Sequence, residues 1–295
     1  MDMRIKFGLL VTTVCAGILA MQGVAQATPY AYASNQYTDL RLVLVVNGQV
    51  QAVPVVGTPT ETISANSQYE GYASGASQGT QAIPIFPNTG TLNVAQAFSG
   101  TGTVPAENTW GQAGPGTFTG TRADASIGGA NQTGAITANN VAEGNGIGLG
   151  NSGANNNATI VFSIDLQTAG SILLTFQNIV NLIASTSAVG ESATASVTNT
   201  FSISQGGIGG ISYTYAPGDI NGQLSSQDGV PADNTYSTTY AGSYESPVLL
   251  PGQYNISITS ASAETIHAVP EPASLALLGA GLVGLGLIRK RRRVG

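Results

Sequence analysis

Between residues 28 and 268 the chain alternates apolar and polar side chains with a period of two, and no helical period competes with it. Leu40, Leu42 and Leu44 alternate with Arg41, Val43 and Val45, and Asn47-Gly48 then separates this run from Gln49 to Val53. Asn-Gly between two β-type runs predicts a hairpin, because both central residues of a type I′ turn need positive φ. Pro54 ends the second strand or confines it to an edge. Thr159 to Leu166 reads as a strand, with Ile160, Phe162 and Ile164 on one face. After Ala169-Gly170, Ser171 to Val180 reads as its hairpin partner. Ala195 to Ser204, Ile211 to Tyr215 and Tyr254 to Thr259 complete the clear strands, and Pro251-Gly252 forms the turn before the last. Thr117 to Thr121 and Ala123 to Ile127 are weaker strands in a stretch, 99–157, dominated by Gly, Ala, Thr and Asn. That stretch predicts a mixture of loop and thin strands packed through small side chains, since such chain buries little and loses much entropy on ordering. The pattern predicts a mainly β protein, a β-sandwich or jelly-roll-like body with long Gly/Asn/Thr-rich loops. No repeat of fixed period points to a solenoid.

The two ends break this pattern with apolar blocks. Arg4 and Lys6 precede an apolar stretch from Phe7 to Met21, and Ala25-Gln26-Ala27 follows. This is the layout of a signal peptide over residues 1–27, with cleavage after Ala27 and Thr28 as the new N-terminus. At the other end, Pro270-Glu271-Pro272 precedes an uncharged run from Ala273 to Ile288, which ends in Arg289-Lys290-Arg291-Arg292-Arg293. As a helix the run spans roughly 24 Å. That is short against a hydrocarbon core of about 30 Å, so snorkelling basic side chains or local thinning must help it cross. The positive-inside rule holds the basic cluster in the cytoplasm. An ordinary tail anchor is the alternative reading of these features.

Val269-Pro270-Glu271-Pro272-Ala273-Ser274, a short apolar helix and an Arg-rich end, in that order, resemble the PEP-CTERM sorting signal of Gram-negative bacteria. The resemblance covers 269–295 and implies a transmembrane helix at 273–288 with a basic tail at 289–293. It implies a precursor held transiently in the inner membrane, whose tail exosortase, a membrane protease, recognises and removes. It further implies delivery of the body to the cell surface or extracellular matrix, often in company with exopolysaccharide. The partners expected are exosortase and the general secretion machinery, with exopolysaccharide as a further one. The strand after Pro251-Gly252 resembles the final strand of PEP-CTERM β-sandwiches. Pro105 to Trp110, Arg122-Ala123-Asp124-Ala125 and Asn140 to Gly144 resemble an uncharacterised sub-family of exosortase-dependent surface proteins.

Charge changes the picture of possible partners. The body 28–268 sets Arg41 and Arg122 against thirteen acids and has no Lys, a formal balance of −11. It offers no phosphate-neutralising stripe, which argues against nucleic acid, and it should be repelled by anionic membrane surfaces. The only cysteine, Cys15, lies in the apolar block at the N-terminus, so the body forms no disulfide.

Candidate chemistry is sparse. The sole histidine, His267, reads as a spacer residue ahead of the tail, and no G-x-S-x-G occurs. Zinc and copper sites need His and Cys clusters that are missing here. Pro217-Gly218-Asp219-Ile220-Asn221-Gly222 opens like a calcium loop, with Asp219, Asn221 and Asp228 as candidate ligands and Asp233 nearby. Gln223 and Val230, however, occupy positions where an EF-hand needs oxygen ligands, so a polar turn fits better. No cofactor is expected. The eleven tyrosines could stack on sugars or seal a core, while Trp110, the one tryptophan, is thin provision for a saccharide cleft. The sequence therefore favours an exported, non-enzymatic surface or matrix protein. A glycan-binding module is the first alternative, and a carbohydrate-active enzyme using paired carboxylates the second.

Overall fold

The computed structural model describes residues 28–57, 59–70, 73–82, 93–104, 106, 111–128, 136–146, 150–206, 210–229 and 234–268. Thr28–Val269 form one compact unit. The expected signal peptide, sorting motif, transmembrane helix and basic tail lie outside the described residues.

In chain order the strands are β1 Tyr30–Val46, β2 Gln49–Gln51, β3 Thr60–Gln68, β4 Gly75–Ala82, β5 Asn93–Gly102, β6 Phe118–Gly128, β7 Ile136–Asn145 and β8 Gly150–Leu166. They continue with β9 Ser171–Ser185, β10 Ser192–Ser204, β11 Ser212–Tyr215, β12 Gly222–Gln227, β13 Asn234–Glu245 and β14 Gly252–Ala268. A 3-10 turn, Gly218–Ile220, precedes β12. The first sheet runs β13-β9-β1-β7-β6-β5, with β2 beside β1, and the second runs β11-β10-β14-β8-β3-β4, with β12 beside β10. All pairings are antiparallel. The sheets lie face to face as a sandwich, because each strand carries one apolar side that only the other sheet can cover.

The β1–β2 hairpin forms as expected, with Asn47 at φ 50° and Gly48 at φ 74°. β2 stops at Gln51, short of the expected Val53. Sequence reasoning misplaced the next pair. β8 and β9 are not a hairpin: β8 pairs with β14 and β3 in one sheet, and β9 pairs with β1 and β13 in the other. Each has an inner row of large apolar side chains, Ile160, Phe162 and Ile164 on β8 and Ile172, Leu174 and Phe176 on β9, and both rows belong to the one core between the sheets. The crossing at Gly170 is tight, since a Cβ there would sit 2.7 Å from the Val45 carbonyl oxygen.

Within the expected mixture of loop and thin strands over 99–157, strand predominates among the described residues. The end of β5, all of β6 and β7 and the start of β8 fall within it. The two weak strands at 117–127 are the single strand β6. Small side chains are what permit this packing: Ala95, Ala97, Ala123, Ala125, Ala138, Ala142, Ala154 and Ala158 fill the interior. Gly100 and Gly120 face each other across β5 and β6, where a Cβ on either would lie 2.1–2.2 Å from the opposite backbone.

In β1 the register slips between Tyr37 and Leu40 in its pairing with β7 and between Tyr37 and Arg41 in its pairing with β9. This bulge switches the inward positions from odd to even, so Tyr37 and Leu40 are both buried. Across the middle of the sandwich runs a belt of amides and hydroxyls. Asn178 Nδ2 donates to Asn35 Oδ1 at 2.7 Å, and Asn35 Nδ2 reaches Asn199 Oδ1 at 2.5 Å and Ser260 Oγ at 2.8 Å. Asn140 Nδ2 donates to the same Ser260 at 2.6 Å. Asn156 Nδ2 bonds the Val141 carbonyl and Ser262 Oγ. Large apolar side chains pack on one side of this belt, and a smaller cluster of Ala31, Tyr69, Ala184, Ala193 and Ile266 packs on the other.

Candidate functional site

The first and last described residues of the body, Thr28 and Ala268, lie at one end of the sandwich. β1 begins at Tyr30, two residues after Thr28, and Thr28 N donates to Ser187 Oγ at 3.0 Å. β14 is an interior strand of its sheet and stays paired to its last residue, Ala268 with Gly150 of β8 and His267 with Ser192 of β10. Gly146 lies between the two ends: its N–H donates to the Pro29 carbonyl at 3.0 Å, and a Cβ built on it would sit 3.3 Å from Pro29 and 3.5 Å from Ala268. His267 is therefore part of a strand rather than a free spacer, and its Nδ1 lies 2.9 Å from Asn151 Oδ1.

A buried charge cluster occupies the outer face of the first sheet. Arg122 on β6 is 0% exposed. Its Nη1 pairs with Asp124 Oδ2 and its Nε with Glu143 Oε2, both at 2.8 Å, and its Nη2 donates to the Gly111 carbonyl at 2.7 Å. Glu143 on β7 also accepts from Tyr30 Oη at 2.5 Å and from the backbone N–H groups of Ala113 and Gly114 at 3.0 Å. Residues 111–114 thus lie over the sheet and cover the ion pairs. Burial, followed by the Glu143 charge, pushes the Tyr30 phenol far above its ordinary value. Burial raises Tyr32 as well. Arg122, Asp124 and Glu143 stood out in the sequence without any chemistry attached, and the fold brings them together. The signal was their placement: Arg122 and Asp124 are two apart on one strand face, and Glu143 is the register partner of Arg122 on the next strand.

Two further acids sit inside the sandwich. Glu264 and Glu61 are 1% and 0% exposed, and their carboxylate oxygens have no hydrogen-bond partner. Burial raises Glu61 to about 7 and holds Glu264 well above the carboxylate range.

The calcium candidates are not assembled. Asn221 is spent on β10, where its Nδ2 donates to the Asn199 carbonyl at 3.0 Å. Asp228, at φ 59°, accepts from Gly190 N–H at 2.9 Å. Asp219 lies in the 3-10 turn, and the strand β12 separates it and Asn221 from Asp228. Among the described residues no group of three or more His, Cys, Asp or Glu could hold a metal ion.

Four of the eleven tyrosines, Tyr213, Tyr215, Tyr240 and Tyr244, pack against one side of the core. Tyr215 of β11 stacks on Tyr244 of β13 with centroids 4.3 Å apart and an interplanar angle of 8°. Phe201, Phe176 and Tyr240 continue the cluster inward. A separate open groove of about 580 Å³ lies on the outer face of the first sheet, lined by Tyr32, Gln36, Gln112, Asn181, Thr235 and Ser237 and free of charged side chains. A larger cleft of about 770 Å³ is lined by Asn66, Gln68, Asn151, Asn155 and His267, among others.

Among the described residues no helix is long and apolar enough to cross a membrane. Comparison with curated proteins and with solved structures yields no match. Comparison with protein families yields one match, the PEP-CTERM protein-sorting motif, over residues 268–293. The matched segment starts at the last paired residue of β14 and contains Pro270-Glu271-Pro272, the apolar run and the basic cluster. The motif implies export, a membrane-anchored precursor and exosortase as its processing partner. The chain is a β-sandwich protein carrying a PEP-CTERM sorting motif directly after its final strand.

Proposed function

We propose that the chain is an exported, non-enzymatic surface or matrix protein that exosortase releases from the inner membrane. The observation that carries this reading is the sorting motif at 268–293, joined without a linker to a folded sandwich. Prolines at positions 270 and 272 disfavour helix by their chemistry, which suits the extended backbone that a protease needs. The lack of catalytic function rests on composition and burial. The body has no Cys or Lys, its one His bonds Asn151, and the acids with raised pKa are closed off from any substrate.

The test is localisation with and without exosortase. Wild type should lose its tail and reach the surface with Thr28 at its N-terminus. Glu271→Ala, or loss of exosortase, should leave an uncut precursor in the inner membrane. Surface delivery unchanged in both cases would reduce the tail to a plain anchor and remove the main support for the matrix reading. A hydrolase activity on surface polysaccharide, abolished by replacing one carboxylate, would refute the non-enzymatic assignment.

The groove on the first sheet favours a second reading, a glycan-binding module. Amides and hydroxyls without a net charge suit a neutral sugar better than an ionic ligand. Retention on a neutral polysaccharide that Gln36→Ala abolishes would support it, and no retention on any polysaccharide of an array would leave the scaffold reading alone.

A further inference from the structure

The sandwich has four sheet edges, and three of them are blunted. β4 and β5 close against each other, since a Cβ on Gly75 would lie 2.5 Å from the Phe98 carbonyl oxygen. On the opposite side of the second sheet the edge is divided between the four-residue β11 and the six-residue β12. β13 is the exception. It pairs with β9 through twelve consecutive residues without a register shift, and its other side has no strand partner among the described residues. It contains no Pro, Lys or Arg and a single charge, Glu245, at its end. Natural edges of this length usually carry a proline, a lysine or a bulge to prevent pairing with another chain.

The sequence of β13 is also symmetric. Tyr236, Tyr240 and Tyr244 are spaced evenly on the inner face, with Tyr240 at the centre. An antiparallel pair of identical strands about a two-fold axis perpendicular to the sheet requires opposed residues on the same face. A dyad at Tyr240 meets this condition. It sets Tyr240 against its counterpart, Tyr236 against Tyr244, Ser237 against Ser243 and Thr239 against Ala241. A dyad at Thr239 would instead set Tyr236 against Gly242 and leave no tyrosine pair. Cross-strand aromatic pairs are the stabilising contacts of such a ladder. In the Tyr240 register the two Glu245 carboxylates lie at opposite ends of the new ladder, on the order of 30 Å apart, well beyond a Debye length.

We propose that β13 is a self-association edge, through which two copies of the chain pair antiparallel about Tyr240 and join their first sheets into one continuous sheet. The inference does not depend on the sorting reading. Because each body carries a formal charge of −11, the dimer should strengthen as salt screens the two copies from each other.

The test uses the full-length chain in non-ionic detergent, with protein mass measured by size exclusion and light scattering. Wild type should run at twice the 29.8 kDa chain mass. The dimer fraction should rise at least severalfold between low and high salt. Thr239 and Ala241 are both exposed, so replacing them leaves the core intact. The double variant Thr239→Lys/Ala241→Lys opposes like charges in the dimer and should be monomeric with an unchanged circular dichroism spectrum. Thr239→Glu/Ala241→Glu should be monomeric too, and mixing the two variants should restore the dimer. A monomeric wild type, or a Lys variant as dimeric as wild type, overturns the proposal. Failure of the mixture to pair overturns the Tyr240 register on which it rests.

Discussion

At the scale of single residues, the sandwich keeps two kinds of buried acid, and they behave oppositely. Glu143 and Asp124 are paired on Arg122 and sealed under the segment at 111–114. Removing the guanidinium would leave both acids buried beside each other without their cation. Arg122→Ala should therefore cost about 3–5 kcal/mol in urea unfolding, the range for breaking a buried pair. A loss under 1 kcal/mol would mean that water already reaches the cluster. Glu264 has no such partner and is pressed against Gly144, where a Cβ would come within 2.2 Å of its Oε2. Its raised pKa means that the folded chain holds a proton which the unfolded chain releases. Stability tied to this group is full below the ordinary glutamate value of about 4.3 and declines as pH rises above it. Glu61 follows the same sign between that value and about 7. Glu264→Gln, which cannot ionise, should match wild type in melting temperature at pH 4 and exceed it by a margin that grows toward pH 8. A constant margin would show that the carboxyl does not titrate on unfolding.

At the scale of elements, large apolar rows were legible and small ones were not. β1, β8, β9, β10 and β14 carry alternating Leu, Ile, Val and Phe, and each was predicted in type, though most proved longer than the apolar core that revealed them. β3, β4, β5, β7, β12 and β13 were missed because their inward residues are mostly Ala, Asn, Ser, Gly or Tyr, which alternate weakly in hydropathy. The site was legible in a similar, partial way. Arg122, Asp124 and Glu143 were noticed as residues, but their meeting depends on the β6–β7 register, which no local pattern encodes. The same holds for Gly100, in the small-residue stretch, and Gly120, in a weak strand, whose facing across β5 and β6 is set by register. At φ 142°, with a carbonyl oxygen where its Cβ would stand, Gly120 admits no side chain without moving β5. Gly120→Ala should lower stability by more than about 1 kcal/mol, a glycine-to-alanine change in an incompatible conformation being worth at least that. It should also speed amide exchange in β5 before the rest of the sheet. Uniform exchange across all strands would place the damage elsewhere.

At the scale of the whole molecule, the amide belt gives the sandwich its alignment. Asn35, Asn140 and Asn199 come from three strands in two sheets and converge on Ser260 or on each other, so a slip of any strand would strand several buried polar groups at once. The other global feature is the meeting of the two ends of the body at Gly146, with Pro29 and Ala268 both within 3.5 Å of the point its Cβ would occupy. Topologically the body is then almost a ring, and where the ring is opened is arbitrary as far as its contacts are concerned. A circular permutant that joins Ala268 to Thr28 through a few glycines and starts instead at Gly48, in the exposed β1–β2 turn, keeps every interior pairing and gives up only the three-residue β2 hairpin. It should fold to the same β-type circular dichroism spectrum and melt within a few degrees of the unpermuted body. Such a chain has its new ends away from both flanking segments, so the place where this sandwich is tethered is separable from the way it folds.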